Sequence, residues 1–168
     1  MRTPVYEAWN LSNSRADLAE VVVEANVDIN VLLVEDNNGD VLLLKEACLR
    51  ASLPYRLTRV YDGMEALEQL EQVRRKDTPA FDLIILDLNL PRMDGREVIQ
   101  HVRADVALTA IPLVILTSSI SDQDVAISNG YPLEAYFVKP PTFNELVQVV
   151  QKIDHYRQHC GGSLQTPQ

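Results

Sequence analysis

Four short apolar runs in this 168-residue chain each lead into a side chain that can do chemistry. Val31-Leu32-Leu33-Val34 precedes Glu35-Asp36, Leu83-Ile84-Ile85-Leu86 precedes Asp87, Leu113-Val114-Ile115-Leu116 precedes Thr117, and Tyr136-Phe137-Val138 precedes Lys139. Carboxylates, a hydroxyl and an ammonium brought together would suit a divalent cation and a phosphoryl group. A carboxylate such as Asp87 can act as a nucleophile and become an aspartyl phosphate. The incoming group is anionic, so a cation must offset the repulsion, and Glu35 and Asp36 are suited to hold it. Mg²⁺ prefers oxygen ligands and keeps several waters, so a few carboxylates and a backbone carbonyl suffice. The ion would neutralise charge that develops during transfer. Lys139 offers a point charge to one phosphoryl oxygen, and the Thr117 hydroxyl can reach another.

Such chemistry needs elements that deliver the four run ends to one place. Continuous Val/Ile/Leu runs suit strands buried on both faces, as in a parallel sheet covered by helices. In such sheets ligands bind beyond the carboxyl ends of the strands. A single Asp or Thr at a strand end is as well explained by a turn. The ordered set of four carries the reading.

The remaining chain supplies alternating helices. Asn37-Asn38-Gly39-Asp40 makes a turn and helix start, and 41–52 places Val41, Leu44, Cys48 and Leu49 at helical spacing. Tyr55–Tyr61 reads as a strand. Asp62, with Glu65 three residues on, opens a helix to Val73; another covers Asp94–Asp105. Ile111–Leu116 is the fourth strand. Ser121 and Asp124 open a short helix to Asn129, with Gly130 as its C-cap. Glu134–Val138 is the fifth strand, and the Thr142/Glu145 capping box starts a last helix with Phe143, Leu146, Val147, Val150 and Ile153 on one face. Five βα units predict a doubly wound α/β domain with a five-stranded parallel sheet. Residues 30–157 form it, residues 1–29 are an N-terminal extension, and 158–168 are a flexible tail. In the extension, Ser14-Arg15-Ala16-Asp17 resembles a capping box ahead of Leu18, Val21, Val22 and Ala25, which predicts a helix. The β-branched run Val21-Val22-Val23 leaves a strand open. Trp9 makes this segment a candidate docking element.

With Asp87-Leu88-Asn89-Leu90-Pro91-Arg92-Met93-Asp94-Gly95 between the acidic pair and Lys139-Pro140, the chain resembles the receiver domain of bacterial response regulators, of flavodoxin-like fold. The resemblance implies that Asp87 accepts phosphate from a histidine kinase. It implies that Glu35 and Asp36 serve Mg²⁺, that Asn89 gives the ion its backbone carbonyl, and that Thr117 and Lys139 sense the phosphoryl group. Tyr136 matches the aromatic switch position. The phrases Asp94-Gly95-Arg96-Glu97-Val98 and Ile111-Pro112 through Thr117-Ser118-Ser119 are similar to cyanobacterial phytochrome-associated response regulators. Those are free-standing receivers that dimerise through the last helices and strand, which implies a phytochrome as kinase and a homodimer through the fourth helix, fifth strand and fifth helix. The charged pairs that transcription-factor receivers use there are not expected, because Ser121–Gly130 has no Lys or Arg. An apolar contact involving Ile127, Phe137 and residues of the last helix is the alternative.

Composition excludes other classes. A net charge of −9 without a Lys/Arg stripe argues against nucleic-acid binding. Apolar runs are too short for a membrane span and the N-terminus is unlike a secretory signal, so the cytoplasm is expected. Cys48 and Cys160 form neither a metal spacing nor a disulfide framework. His101, His155 and His159 read as surface residues. A haloacid-dehalogenase-like phosphatase needs a second Asp where Asn89 stands, and its other acidic pair follows the lysine. A non-phosphorylated pseudo-receiver is the remaining rival.

Overall fold

The edge-to-edge order of the sheet explains how distant run ends meet. In the computed structural model, residues 20–21, 29–76, 80–119, 130, 132 and 135–160 are described. Strands β2 (Ile29–Val34), β3 (Tyr55–Val60), β4 (Leu83–Leu86), β5 (Leu113–Thr117) and β6 (Tyr136–Val138) are parallel, in the order β3-β2-β4-β5-β6. This is the five-stranded parallel sheet expected from the runs. The order reverses between β2 and β4, the place where doubly wound sheets leave a crevice. All four residues of β4 are buried, as are Val31–Val34 and all of β5. Their unbroken apolar character thus reflects helices on both faces.

Helix α1 (Asn38–Arg50) packs against α5 (Phe143–Cys160). Helix α2 (Gly63–Arg74) packs against α3 (Gly95–Ala104), which also meets the short α4 (Val106–Thr109). The starts follow the capping chemistry. Asn37 Oδ1 accepts from Gly39 N and Asp40 N, Asp62 Oδ1 from Glu65 N, and Asp94 and Glu97 form a reciprocal box. Thr142 and Glu145 pair at the start of α5. Two residues of the expected apolar stripes face outward instead. Leu49 is 48 % and Phe143 38 % exposed, while Val41, Leu44, Ala47 and Cys48 on α1 and Leu146, Val150 and Ile153 on α5 are buried. Each outlier lies near a helix end.

The extension corrects the helix expectation at two residues. Glu20–Val21 form strand β1, antiparallel to β3 in the register Glu20↔Thr58 and Val21↔Leu57. The open edge of β3 offers unpaired backbone groups, and the β-branched sequence suits them. The rest of 1–28, with Trp9, and the helix expected at 121–129, with Ile127, lie outside the described residues. Gly130 has φ +76°, a conformation that suits glycine. Helix α5 runs on to Cys160, beyond residue 157, and 161–168 lie outside the described residues. No helix among the described residues is long and apolar enough to cross a membrane.

Candidate functional site

Each run end is placed by a backbone bond to the neighbouring strand. Glu35 N donates to Val60 O at 3.1 Å, Asp87 N to Val34 O at 3.0 Å, and Lys139 N to Thr117 O at 2.8 Å. The residues just past β2, β4 and β6 are therefore in register across the sheet and share its carboxyl edge. Gly95 closes the approach from behind: a Cβ there would sit 2.4 Å from the Asp87 carbonyl oxygen. Only a glycine lets α3 start this close to the strand end.

Lys139 is the hub. Its Nζ lies 2.7 Å from Glu35 Oε2, 2.7 Å from Asp40 Oδ2 and 2.7 Å from Asp87 Oδ2. Glu35 and Asp87 are buried, and the Lys139 side chain is only 17 % exposed. One ammonium thus faces three carboxylates in a half-dry setting. Burial pushes the Glu35 carboxyl above its ordinary range, and the Lys139 and Asn37 hydrogen bonds only partly offset this. Burial also works against the Lys139 charge, but its bonds to Asp40, Asp87 and Glu35 outweigh it and the ammonium is held above its ordinary range. A cavity of about 60 Å³, walled by Leu43, Leu116, Pro140 and Leu146, borders this cluster.

A second chain of contacts leads from Asp87 toward Thr117. Asn89 N donates to Asp87 Oδ1 at 3.0 Å, and Asn89 Nδ2 to Thr117 Oγ1 at 3.3 Å. Thr117 is fully buried. Tyr136, also buried, stands one step further out and donates its hydroxyl to the Ser119 carbonyl at 2.7 Å. The loop after Asp87 is tied down by Arg92, which pairs with the buried Asp62 and, at 3.3 Å, with Glu65. Arg92 itself has φ 62°, an uncommon conformation for a residue with a side chain.

Of the residues expected to act together, Glu35, Asp87 and Lys139 meet directly, and Asn89 connects Asp87 with Thr117. Asp36 is exposed and outside the Lys139 cluster. Asp40 was missed. It sits in the first turn of α1, and an acidic residue one helical turn past an acidic pair was the available signal. The described residues contain no group of three His, Cys, Asp or Glu already disposed around a metal. The donor chemistry nevertheless fits a hard divalent cation: Glu35 and Asp87 already converge on one cationic head, Asp36 adjoins them, and all donors are oxygen. The histidines are all exposed, as expected, and the Lys139–Pro140 peptide is trans, the isomer that X–Pro bonds favour.

Known proteins are similar to this chain in sequence and in fold. A probable methanogenesis regulatory protein of Methanothrix harundinacea, FilR2, is 35 % identical over 80 % of this chain and 87 % of its own. Response regulator Rcp1 of Synechocystis is 34 % identical over 79 % of the chain and 91 % of its own. The crystal structure of its Mn²⁺-bound form superposes with a TM-score of 0.64 at 32 % identity, covering 83 % of this chain and 99 % of that one. The phosphorylated cyanobacterial phytochrome response regulator RcpA superposes with a TM-score of 0.67 at 36 % identity, covering 79 % and 95 %. Residues 31–151 match the profile of the response regulator receiver domain, so the chain belongs to that family of signalling switches and is related to the phytochrome response regulators.

Proposed function

We propose that this receiver is switched by phosphorylation of Asp87, with a sensor histidine kinase as donor. The observation that carries the reading is the Lys139 ammonium 2.7 Å from Asp87 Oδ2, on the strand-end edge that also holds Glu35 and Thr117. A carboxylate oxygen of Asp87 attacks phosphorus, the P–N bond to the kinase histidine breaks, and the imidazole leaves with a proton from solvent. Lys139 can follow the new phosphoryl oxygens, since it already rests on Asp87. Thr117, one Asn89 contact away, offers its hydroxyl to another oxygen, and Tyr136 responds behind it. Glu35, Asp36, Asp87 and the Asn89 carbonyl would hold the divalent cation, Mg²⁺ in our reading, which offsets the repulsion between carboxylate and phosphoryl group. A charge-assisted hydrogen bond contributes about 1.5–3 kcal/mol. That is enough to bias two forms differing by a few kcal/mol, provided that the contacts differ between them.

Similarity to RcpA and Rcp1 supports a phytochrome as the kinase and a cytoplasmic setting. The output we propose is protein contact, with two copies joining through 121–130, β6 and α5. The half-buried Phe137 and the 38 % exposed Phe143 support an apolar element in that contact. Residues 30–157 are the switch, with 1–29 and 158–168 as appendages.

Incubation with labelled acetyl phosphate, with and without Mg²⁺, tests the reading on wild type and Asp87→Asn while molecular size is recorded. Mg²⁺-dependent label that Asp87→Asn loses is expected, together with a rise in size. Absence of label from both acetyl phosphate and a phosphorylated kinase would sink the proposal in favour of a pseudo-receiver.

A further inference from the structure

Arg59, near the carboxyl end of β3, spends its whole guanidinium on the loop that carries the acidic pair. Its Nε donates to the Glu35 carbonyl at 3.0 Å, its Nη2 to the Asp36 carbonyl at 2.9 Å, and its Nη1 to Asn38 Oδ1 at 2.6 Å. Three nitrogens of one planar group therefore hold two successive peptide carbonyls and the first side chain of α1. The Tyr61 ring lies 4.2 Å from the guanidinium carbon and supports its face. On the other side of the loop, Asn37 N binds Glu35 Oε1 at 2.9 Å and Asn37 caps α1. The turn from Glu35 to Asn38 is thereby fixed at both ends. Asp36, exposed and outside the Lys139 cluster, has its carbonyl held by this clamp.

We infer that Arg59 is a positioning residue for the acidic pair, holding the 35–38 turn in the shape from which Glu35 and Asp36 grip a divalent cation. The inference rests on the metal-dependent reading of the site. Two consequences of Arg59 oppose each other there. Its positive charge repels an incoming dication, which weakens binding. Its fork removes the freedom of the turn before the ion arrives, which strengthens binding. Solvent screens the repulsion near a surface, whereas partners that orient metal ligands typically change affinity by about 10–100-fold. Orientation therefore wins, and this fixes the sign of the effect. Lysine could supply the charge but not three in-plane donors at fixed spacing.

The test is Mn²⁺ binding to the metal-free full chain by calorimetry, with hydrogen exchange of the 35–38 amides followed in the same metal-free protein. Arg59→Ala is expected to weaken Mn²⁺ binding by about 10-fold or more, although it removes a repelling charge. Arg59→Lys is expected to weaken it as well, and both variants are expected to speed exchange in the turn. Asn38→Ala, which deletes a single acceptor, is expected to give a smaller loss. Unchanged or tighter binding in Arg59→Ala, with wild type binding normally, would overturn the clamp and leave the metal reading intact. Failure of wild type to bind Mn²⁺ would overturn both. Should Arg59→Ala not fold, wild-type affinity in both Arg59→Lys and Asn38→Ala would overturn the clamp.

Discussion

The two edges of the sheet each bury a charged cluster, and they are balanced in opposite ways. At the amino edge, Tyr55 opens β3 and sends its hydroxyl to Asp154 Oδ1 at 2.9 Å. Arg157 Nε donates to the same oxygen at 3.0 Å, and Gln158 Nε2 to Oδ2 at 2.6 Å. One carboxylate is surrounded by three donor side chains, and its charge is cancelled by one guanidinium. The Tyr55 hydroxyl is pushed above its ordinary range, first by burial and then by Asp154, and the neighbouring Cys48 thiol is pushed up to about 12 for the same reasons. Both groups stay neutral near pH 7, so Asp154 and Arg157 are the charged pair at this end. At the carboxyl edge the stoichiometry is reversed, with one ammonium among three carboxylates. That end carries excess negative charge and can gain from a cation. Burial of polar groups alone does not distinguish the two ends; the balance of charged partners does.

This contrast breaks most visibly at the amino edge. Asp154→Ala leaves the hydroxyl of Tyr55, 1 % exposed, without its acceptor and frees the Arg157 charge. Losing one partner of a largely buried pair costs about 3–5 kcal/mol. A loss near 3 kcal/mol in urea unfolding is expected, since Asp154 is at the edge of solvent, while Mg²⁺-dependent labelling of Asp87 persists. A collapse of labelling in protein that is still folded would show that the two edges are coupled.

The carboxyl edge should lose less stability and show a marked pH dependence. Lys139→Met leaves Glu35, Asp40 and Asp87 uncompensated, at a cost of about 2 kcal/mol near neutrality. Glu35 already has a raised folded pKa, so it binds a proton more tightly in the folded form. Acidification through that folded value toward the unfolded 4.5 therefore relieves the variant. For Lys139 the sign is the other way round. Its folded pKa is raised, so its stabilisation is fully present below the unfolded 10.5 and is lost as pH rises through the folded value. The stability difference between wild type and Lys139→Met should be widest between these limits and should shrink at both ends. A difference that is flat with pH, followed by urea midpoints, would mean that the cluster is not electrostatically coupled.

Much of this was legible because the relevant signals are local. Val31–Val34, Leu83–Leu86 and Leu113–Leu116 announce buried parallel strands, and Asp62, Asp94 and Thr142 announce helix starts. Once those runs lie side by side in a parallel sheet, Glu35, Asp87 and Lys139 must share an edge. What escaped depends on where a side chain goes after the backbone is placed. Asp40 reads as an ordinary first-turn acid, yet it reaches Lys139 across 99 positions. Arg59 reads as one polar residue in a strand, and nothing local reveals that its acceptors are carbonyls of another loop. The β1 pairing escaped for a different reason. A capping box and a β-branched run give opposite local preferences, and the open edge of β3 decided at Glu20–Val21.

The finest distinction lies between two tyrosines, Tyr55 at the amino edge and Tyr136 at the carboxyl one. Both are buried and both donate a hydroxyl, but Tyr55 meets a charged carboxylate and Tyr136 a neutral carbonyl of the half-exposed Ser119. A neutral bond is worth about 0.5–1.5 kcal/mol, against about 1.5–3 kcal/mol for one to a charge. Tyr136→Phe should therefore cost about 1 kcal/mol, the smallest of these effects. Its value lies in where the cost falls. A bond biases two forms only if one of them makes it and the other does not. As part of the switch, the Ser119 bond should be weaker once Asp87 carries its phosphoryl group, so Tyr136→Phe should cost less with acetyl phosphate and Mg²⁺ than without them. Equal losses under the two conditions would place Tyr136 with Tyr55, as a packing residue that happens to stand near the site.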